Sequence, residues 1–226
     1  MLQDYIKLIA PIASAVAIIA FAVPAYVSVV KQKGMAKGPL ILLILGLFAL
    51  VVEGVSIKTG LPYGDFEYGS SIGFKLFGLV PWPVAFAYPP ILIGAFWSAS
   101  KITKGMWRVP LTALFALIVD VVIDPALTKM GIWVWESPGQ FYGVPLLNFA
   151  GWLITGVVGA MILNYLWGEA EVKRGMVASA FAIVLFWSGI NLGLQQWIPG
   201  IIGMVVGILI LFCMMIERKR EKKAAA

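Results

Sequence analysis

Apolar runs, separated by short polar segments, follow one another along almost the whole chain. Seven of them are about as long as a helix that crosses a bilayer, at residues 5–30, 39–57, 74–99, 109–128, 142–168, 175–192 and 200–216. The pattern predicts an all-α integral membrane protein of about seven transmembrane helices in one domain, residues 1–226, with a charged tail over 217–226. The first run is longer than a signal-peptide core and has no basic segment before it, so we expect a retained helix.

Two of the runs contain residues that predict unusual helix geometry. The third carries Pro81, Pro83, Pro89 and Pro90, and prolines at this density predict a kinked or broken helix. The seventh contains the segment GMVVG at 203–207, whose two glycines predict close packing against another helix.

The basic residues predict the orientation of the chain in the membrane. Of the 17 Lys and Arg residues, thirteen lie in alternate connections, at 31–37, 101–108 and 173–174, and in the tail. The positive-inside rule assigns these segments to the cytoplasm and the N-terminus to the outside of the cell membrane. Topology and attraction to anionic lipid then explain the net charge of +6, and no nucleic-acid partner is expected.

The composition narrows the available chemistry. The sequence contains no histidine and one cysteine, Cys213, which lies in the seventh run. An intramolecular disulfide is therefore excluded. Without histidine, His-based catalytic triads and the usual transition-metal sites are excluded too, so proton chemistry falls to Asp, Glu, Tyr, Lys or water.

Asp120 and Asp124 lie inside the fourth run, four residues apart and hence on one face of a helix. Each costs roughly 2.5–3.5 kcal/mol at the centre of an inserted helix, and such residues usually face an interior cavity on a functional pathway. Two neighbouring carboxyls in a low dielectric do not both ionise, so we expect a neutral acid beside a carboxylate. A purely structural hydrogen-bonded pair is the alternative. Glu53, near the outer end of the second run, is a third candidate.

Aromatic residues collect in the same outer half of the predicted protein. They are Tyr63, Phe66, Tyr68, Trp82, Trp133, Trp135, Tyr142 and Trp152. Tyr and Trp mark membrane interfaces generally, which is the structural explanation for them. Their ring faces also stabilise cations. Acid, base, aromatic wall and water admitted through a polar loop together fit one reaction, protonation of a lipid alkene and capture of the carbocation.

Four segments carry a resemblance to a known family: GLPYGDFEYG (60–69), DVVIDP (120–125), GIWVW (131–135) and FYGVPLLNFAGW (141–152). Over about residues 50–155 the chain resembles the membrane carotenoid-biosynthesis family of carotenoid hydratases. The resemblance implies addition of water across the terminal double bond of an acyclic carotenoid end, of the bisanhydrobacterioruberin type or of the lycopene or γ-carotene type, without a redox cofactor. No cofactor or metal is expected. The implied partners are the carotenoid, water, membrane lipid and other membrane enzymes of carotenoid synthesis.

In this interpretation, Asp124 or Asp120 protonates the less substituted alkene carbon, while the partner aspartate or Glu53 positions and deprotonates water. Asn148 holds that water or orients a carboxylate. The expected substrate-binding residues are Tyr63, Asp65, Tyr68, Trp82, Trp133, Trp135, Tyr142, Asn148 and Trp152. Of these, the tryptophans at 82, 133 and 135 and Tyr142 are the candidates for shielding the cation, and Tyr63 and Tyr68 for lining the entry.

Other functions compete with this hypothesis. A membrane lycopene cyclase, or another polyprenoid-modifying enzyme, also protonates an alkene, but a cyclase captures the cation within the same molecule. An intramembrane prenyltransferase would need a second acidic metal motif and basic residues for a diphosphate, and only Lys129 lies near the aspartates. A proton-coupled small-molecule transporter, a protein of another class, fits intramembrane aspartates and a broken helix. A retinal protein is excluded because the seventh run contains no lysine.

Overall fold

The computed structural model describes residues 2–69 and 72–224, with side chains described from Ile9 to Lys223. Its helices are α1 (Leu2–Thr59), α2 (Val84–Ser100), α3 (Arg108–Lys129), α4 (Leu146–Trp167), α5 (Ala178–Gly193) and α6 (Trp197–Ala224), with 3-10 turns at Gly105–Trp107 and Arg174–Val177. The short strands are β1 (Phe66–Tyr68), β2 (Lys75–Leu76), β3 (Val80–Pro81) and β4 (Trp133–Trp135). They pair antiparallel as β1 with β4 and β2 with β3. The prediction of an all-α membrane protein is confirmed at the level of class.

Helix α1 reverses direction at Gly34, whose φ of 79° and ψ of 171° are not helical. A Cβ built on Gly38 would lie only 2.7 Å from the Cα of Val30, although a straight helix would separate these positions by about 12 Å along its axis. The chain therefore folds back on itself, and α1 consists of two arms that meet at Gly34. This backbone conformation is one that glycine adopts almost alone.

The helices occur where the apolar runs predict them, once the two arms of α1 are counted separately. The third run is the exception, because α2 begins only at Val84, directly after Pro83, and residues 75–81 form the β2–β3 ribbon instead. The prolines of this run thus delay the start of the helix. Pro89 and Pro90 lie inside a continuous α2, so the break predicted for this run lies at Pro81 and Pro83 and not at these two residues.

Five helical segments of the described chain are long and apolar enough to cross a membrane. They are Ile9–Thr59, Gly105–Lys129, Leu146–Trp167, Arg174–Gly193 and Trp197–Lys223, and the first contains both arms of α1. Helix α2 is apolar but has only 17 residues. The chain is therefore a membrane protein with several apolar helices, and the total of about seven spans stays a prediction.

Helix α3 lies at the centre of the bundle, in contact with α2, α4, α5 and α6. Several of its small side chains, Ala113, Ala116, Val122 and Ala126, have no exposed surface. The neighbouring helices therefore cover α3 on most sides. Its two carboxyl groups are for this reason removed from lipid as well as from water.

The glycines of GMVVG pack against helices of the same chain. A Cβ on Gly203 would lie 2.8 Å from Val122 Cγ1, and one on Gly207 would lie 2.6 Å from Leu185 Cδ2. These separations are shorter than ordinary contacts, so larger residues would push α6 away from α3 and α5. The prediction that this segment serves close helix packing is confirmed.

The two ends of the bundle differ in chemistry. At one end, Arg108 Nη2 donates to the main-chain oxygen of Gly168 at 3.0 Å, and Lys101 Nζ pairs with Glu217 at 2.8 Å. Lys33, beside the reversal of α1, donates to the last residue of α4 at the same end. At the opposite end, the β1–β4 ribbon lies against the last turns of α3. The basic connections thus gather at one end, and which end faces the cytoplasm stays a prediction.

Candidate active site

A buried amide links the two aspartates of α3. Asp120 and Asp124 lie one turn apart, and Asn148 lies in the first turn of α4, which begins directly after the extended residue Pro145. The three polar side chains are 0, 2 and 2 % exposed, in that order. Asn148 Nδ2 donates to Asp124 Oδ2 at 2.7 Å and to Asp120 Oδ2 at 3.3 Å. Because an amide nitrogen carries two hydrogens, this one group holds the carboxyl pair together.

Trp133 completes the hydrogen bonding of Asp124. Its Nε1 donates to Asp124 Oδ1 at 2.9 Å, and pairing of β4 with β1 holds the residue over the end of α3. Both oxygens of Asp124 therefore accept a hydrogen bond from an N–H group. Asp120 differs, since its Oδ1 is buried and has no hydrogen-bond partner among the described residues.

A third carboxyl group, that of Glu53 on α1, lies next to the pair. Tyr68 donates its hydroxyl hydrogen to Glu53 Oε2 at 2.9 Å, and its ring meets the ring of Trp133 edge to face, with the centroids 4.6 Å apart. Lys75 Nζ donates to the main-chain oxygen of Tyr68 at 2.7 Å and so ties the β2–β3 ribbon to β1. Two aromatic rings thus connect Glu53 to Asp124.

Two tyrosines in the connection between α1 and α2 keep their protons. Burial, and the nearby Glu53 carboxyl after it, raise the pKa of Tyr63 and Tyr68 well above 10. Both side chains are 3 % exposed. At neutral pH they are therefore hydroxyl donors, and Tyr68 uses this capacity on Glu53.

None of the described side chains forms an ion pair with the three carboxyl groups of this site. Within the described side chains, the ion pairs involve Lys101, Arg108 and Arg174, which lie at the other end of the bundle. A buried ion without a counter-ion costs several kcal/mol. The carboxyl groups of Glu53, Asp120 and Asp124 therefore bind protons and do not all carry a negative charge. The described residues also hold no group of three or more His, Cys, Asp or Glu side chains placed to bind a metal ion.

An aromatic row continues from this group into the bundle. Tyr63 and Trp152 lie with ring centroids 6.2 Å apart, and Trp152 and Tyr88 with centroids 5.6 Å apart. Tyr63 shares a hydrogen bond of 3.0 Å with Thr155 Oγ1, and Tyr88 donates to the Thr155 main-chain oxygen at 3.3 Å. A Cβ on Gly151 would lie 2.5 Å from the Pro62 oxygen, so the segments GLPYGDFEYG and NFAGW meet directly.

The structure brings together six of the twelve predicted site residues, places two beside them and places the other four elsewhere. The six are Glu53, Tyr68, Asp120, Asp124, Trp133 and Asn148. Tyr63 and Trp152 form the adjoining aromatic row. Tyr68 is buried and bonded to a carboxyl, so in this conformation it does not line an entry.

Four predicted residues make their contacts elsewhere among the described residues. Trp135 Nε1 donates to Thr128 Oγ1 at 3.0 Å, and Trp82 packs against Phe86 with the centroids 5.8 Å apart. Tyr142 accepts a hydrogen bond from the main-chain N–H at the start of α6, at 3.4 Å. Asp65 is exposed, and its main-chain oxygen accepts from the N–H of residue 136.

Sequence reasoning missed four polar or aromatic residues near the site. Thr155 lies seven residues after Asn148, two helical turns along the same face, and this spacing was a usable signal. Tyr88 had no such signal. Asn191 and Gln196 donate to the main-chain oxygens of Val122 and Pro125, at 2.7 and 3.1 Å, on either side of Asp124. The signal in the sequence for these two residues was a polar amide within or directly after an apolar run.

Comparison with known proteins gives two matches. A model of a family described as "Carotenoid biosynthesis protein" matches residues 9–210. The chain is also 33 % identical, over 174 residues, to the bisanhydrobacterioruberin hydratase of Haloarcula japonica. The match covers 72 % of this chain and 59 % of that protein, so the chain spans less than two thirds of the length of this relative. No solved structure matches the chain significantly.

Proposed function

The chain belongs to the carotenoid biosynthesis protein family, and from this premise we propose that it is a carotenoid hydratase. It adds water across the terminal double bond of an acyclic carotenoid end, of the bisanhydrobacterioruberin type or of the lycopene or γ-carotene type, without a cofactor. The name of the relative from Haloarcula japonica supports the reaction class. The observation that carries the proposal is the buried group of Asp120, Asn148 and Asp124, which offers a proton donor and a proton acceptor away from bulk water.

Hydration of an alkene requires an acid, a shielded cation and a water molecule whose proton can leave. One carboxylic acid of the pair gives its proton to the less substituted carbon, and the positive charge develops on the tertiary carbon. Water adds to that carbon, and the second carboxylate accepts the proton that this water loses. One water molecule is added, the pair ends with as many protons as it began, and no electrons are exchanged.

The rings of Trp133 and Tyr68 are the proposed cation-shielding wall. They lie between Asp124 and Glu53 with their centroids 4.6 Å apart. A ring face stabilises a desolvated cation by about 2 kcal/mol. Glu53 is the candidate for a further base, because the Tyr68 hydroxyl already fixes one of its oxygens.

The proposal is tested by expressing the chain in a host that makes acyclic carotenoids and measuring the masses of the extracted pigments. We expect the wild-type chain to give products heavier by one water per modified end, and Asp120→Asn and Asp124→Asn to give none. Glu67→Gln is the matched control, because Glu67 is an exposed carboxyl on β1. Hydrated pigment at the wild-type level from both aspartate variants would refute the proposed chemistry.

The same experiment separates the competing functions. A new product of unchanged mass indicates a cyclase, since cyclisation only rearranges the substrate. Unchanged pigments, together with proton-dependent uptake in proteoliposomes, indicate a transporter. Hydrated pigment that persists after chelation of Mg²⁺ excludes a prenyltransferase mechanism.

The proposal includes seven spans in the cell membrane, with the site at the outer end and the tail in the cytoplasm. This orientation is tested in a Cys213→Ser background with one new cysteine, at Glu67 or at Lys223. A membrane-impermeant thiol reagent should label Glu67→Cys in intact cells and Lys223→Cys only after lysis. The opposite labelling would reverse the orientation.

A further inference from the structure

The two aspartates have different hydrogen-bonding environments, and this difference identifies the one that carries the proton. Asp124 accepts an N–H hydrogen bond at each oxygen, from Trp133 Nε1 at 2.9 Å and from Asn148 Nδ2 at 2.7 Å. Neither donor can accept a proton in return, because an indole N–H and an amide NH₂ act only as donors. This environment matches an ionised carboxylate, whose oxygens are acceptors only.

Asp120 has the opposite environment. Its Oδ2 receives only the longer bond of 3.3 Å from Asn148, and its Oδ1 is buried without a partner among the described residues. An ionised Asp120 would leave charge on a buried oxygen to which no described residue donates a hydrogen bond, and this costs several kcal/mol. A neutral hydroxyl at the same place costs about 1–3 kcal/mol when it lacks a partner. The neutral form is therefore favoured at Asp120.

We propose that Asp120 carries its proton on Oδ1 and acts as the general acid, while Asp124 is the carboxylate that deprotonates water. The assignment of catalytic roles depends on the proposed hydratase function, whereas the placement of the proton does not. Trp133 and Asn148 act as positioning residues, because their N–H groups hold Asp124 in its ionised form.

The catalytic cycle balances with these roles. The O–H bond of Asp120 breaks as a C–H bond forms at the less substituted alkene carbon, which leaves a tertiary carbocation. The water oxygen then bonds to the cation and releases a proton to Asp124. Transfer of this proton from Asp124 to Asp120 restores the starting state, and the alkene has gained one molecule of water.

Infrared spectroscopy of the purified full-length protein in lipid tests the placement of the proton without relying on activity. A protonated carboxyl has a C=O stretching band that an ionised one lacks, and the band shifts in D₂O. We expect this band in the wild-type protein, its loss in Asp120→Asn, and its retention in Asp124→Asn. The variant Glu53→Gln identifies any part of the C=O absorption that comes from Glu53, and it should leave the Asp120 band unchanged. Loss of the band in Asp124→Asn, with retention in Asp120→Asn, would overturn the assignment.

A second pair of variants covers the case in which an Asn variant does not fold. Asp120→Glu keeps an acid at the position and should shift the band, whereas Asp124→Glu should leave it in place. A shift confined to Asp124→Glu would again overturn the assignment. If the band follows Asp120 and the carotenoid host yields no hydrated pigment, the hydratase proposal fails and the proton placement stands.

Discussion

Replacing Asn148 by Leu removes the amide that joins the two aspartates while keeping a side chain of similar size. The variant loses the bond of 2.7 Å to Asp124 and the weaker bond of 3.3 Å to Asp120. A hydrogen bond to a charged group contributes about 1.5–3 kcal/mol, and the longer bond adds up to about 1 kcal/mol. We therefore expect Asn148→Leu to lower the free energy of unfolding by about 1.5–4 kcal/mol and to abolish hydration of the carotenoid.

Asn164→Leu is the matched control, because Asn164 is a buried amide on the same helix at the other end of the bundle. Its Nδ2 meets only the sulfur of Met106 at 3.5 Å, and its Oδ1 has no described partner. Removing such a poorly bonded polar group changes stability by about 1 kcal/mol or less. The assay is reversible unfolding in mixed micelles by titration with a denaturing detergent, followed by circular dichroism. Equal losses of stability in the two variants would refute the role assigned to Asn148.

Three further predictions use matched substitutions. Trp133→Phe removes the N–H donor to the Asp124 carboxylate. Loss of this hydrogen bond, at about 1.4 kcal/mol, should reduce the hydrated pigment formed per unit time by about tenfold. Trp135→Phe, which removes a donor to Thr128, should leave the rate near the wild-type level. Gly34→Ala, at a positive φ, should destabilise the protein by about 1–3 kcal/mol, whereas Gly189→Ala, in the interior of α5 with open space around it, should stabilise it by about 0.5–1 kcal/mol in the same unfolding titration. Burial raises the pKa of Tyr68 well above 10 in the folded protein, so the unfolded chain loses the Tyr68 proton first as the pH rises. The free energy of unfolding should therefore fall above about pH 10, and it should fall less steeply in Tyr68→Phe. An equal slope in Tyr68→Phe and in the wild-type protein would contradict this role.

Hydropathy predicted most helices because a membrane helix must be apolar over its whole length. The reversal of α1 was also predictable, since the polar segment 31–38 interrupts two apolar runs. The start of α2 was not predictable, because residues 74–83 are apolar enough for a membrane helix. Hydropathy alone does not distinguish a short β-ribbon from such a helix. Pro81 and Pro83 marked the correct boundary, but Pro89 and Pro90 in the same run carry the same signal inside a continuous helix.

The site was predictable to the extent that its geometry is local. The spacing of Asp120 and Asp124 placed both on one face of a helix, whereas their contact with Asn148 depends on how α3 packs against α4. The bond between Tyr68 and Glu53 joins strand β1 to the end of α1, and no spacing in the sequence predicts it. Trp133 and Trp135 look equivalent in the segment GIWVW, yet only the indole of Trp133 donates to an aspartate.

The carboxyl cluster lies near the last turns of α3 and the first turn of α4, and thus at one end of the bundle. In the proposed reaction, a carotenoid lying along the helices presents one terminus there, while its other terminus lies about 30 Å away, across the hydrocarbon layer. A substrate with two unreacted termini cannot then be finished in a single binding event. The half-converted molecule has to leave, tumble end over end in the lipid and return, so singly hydrated pigment should appear first and decline as the doubly hydrated product accumulates.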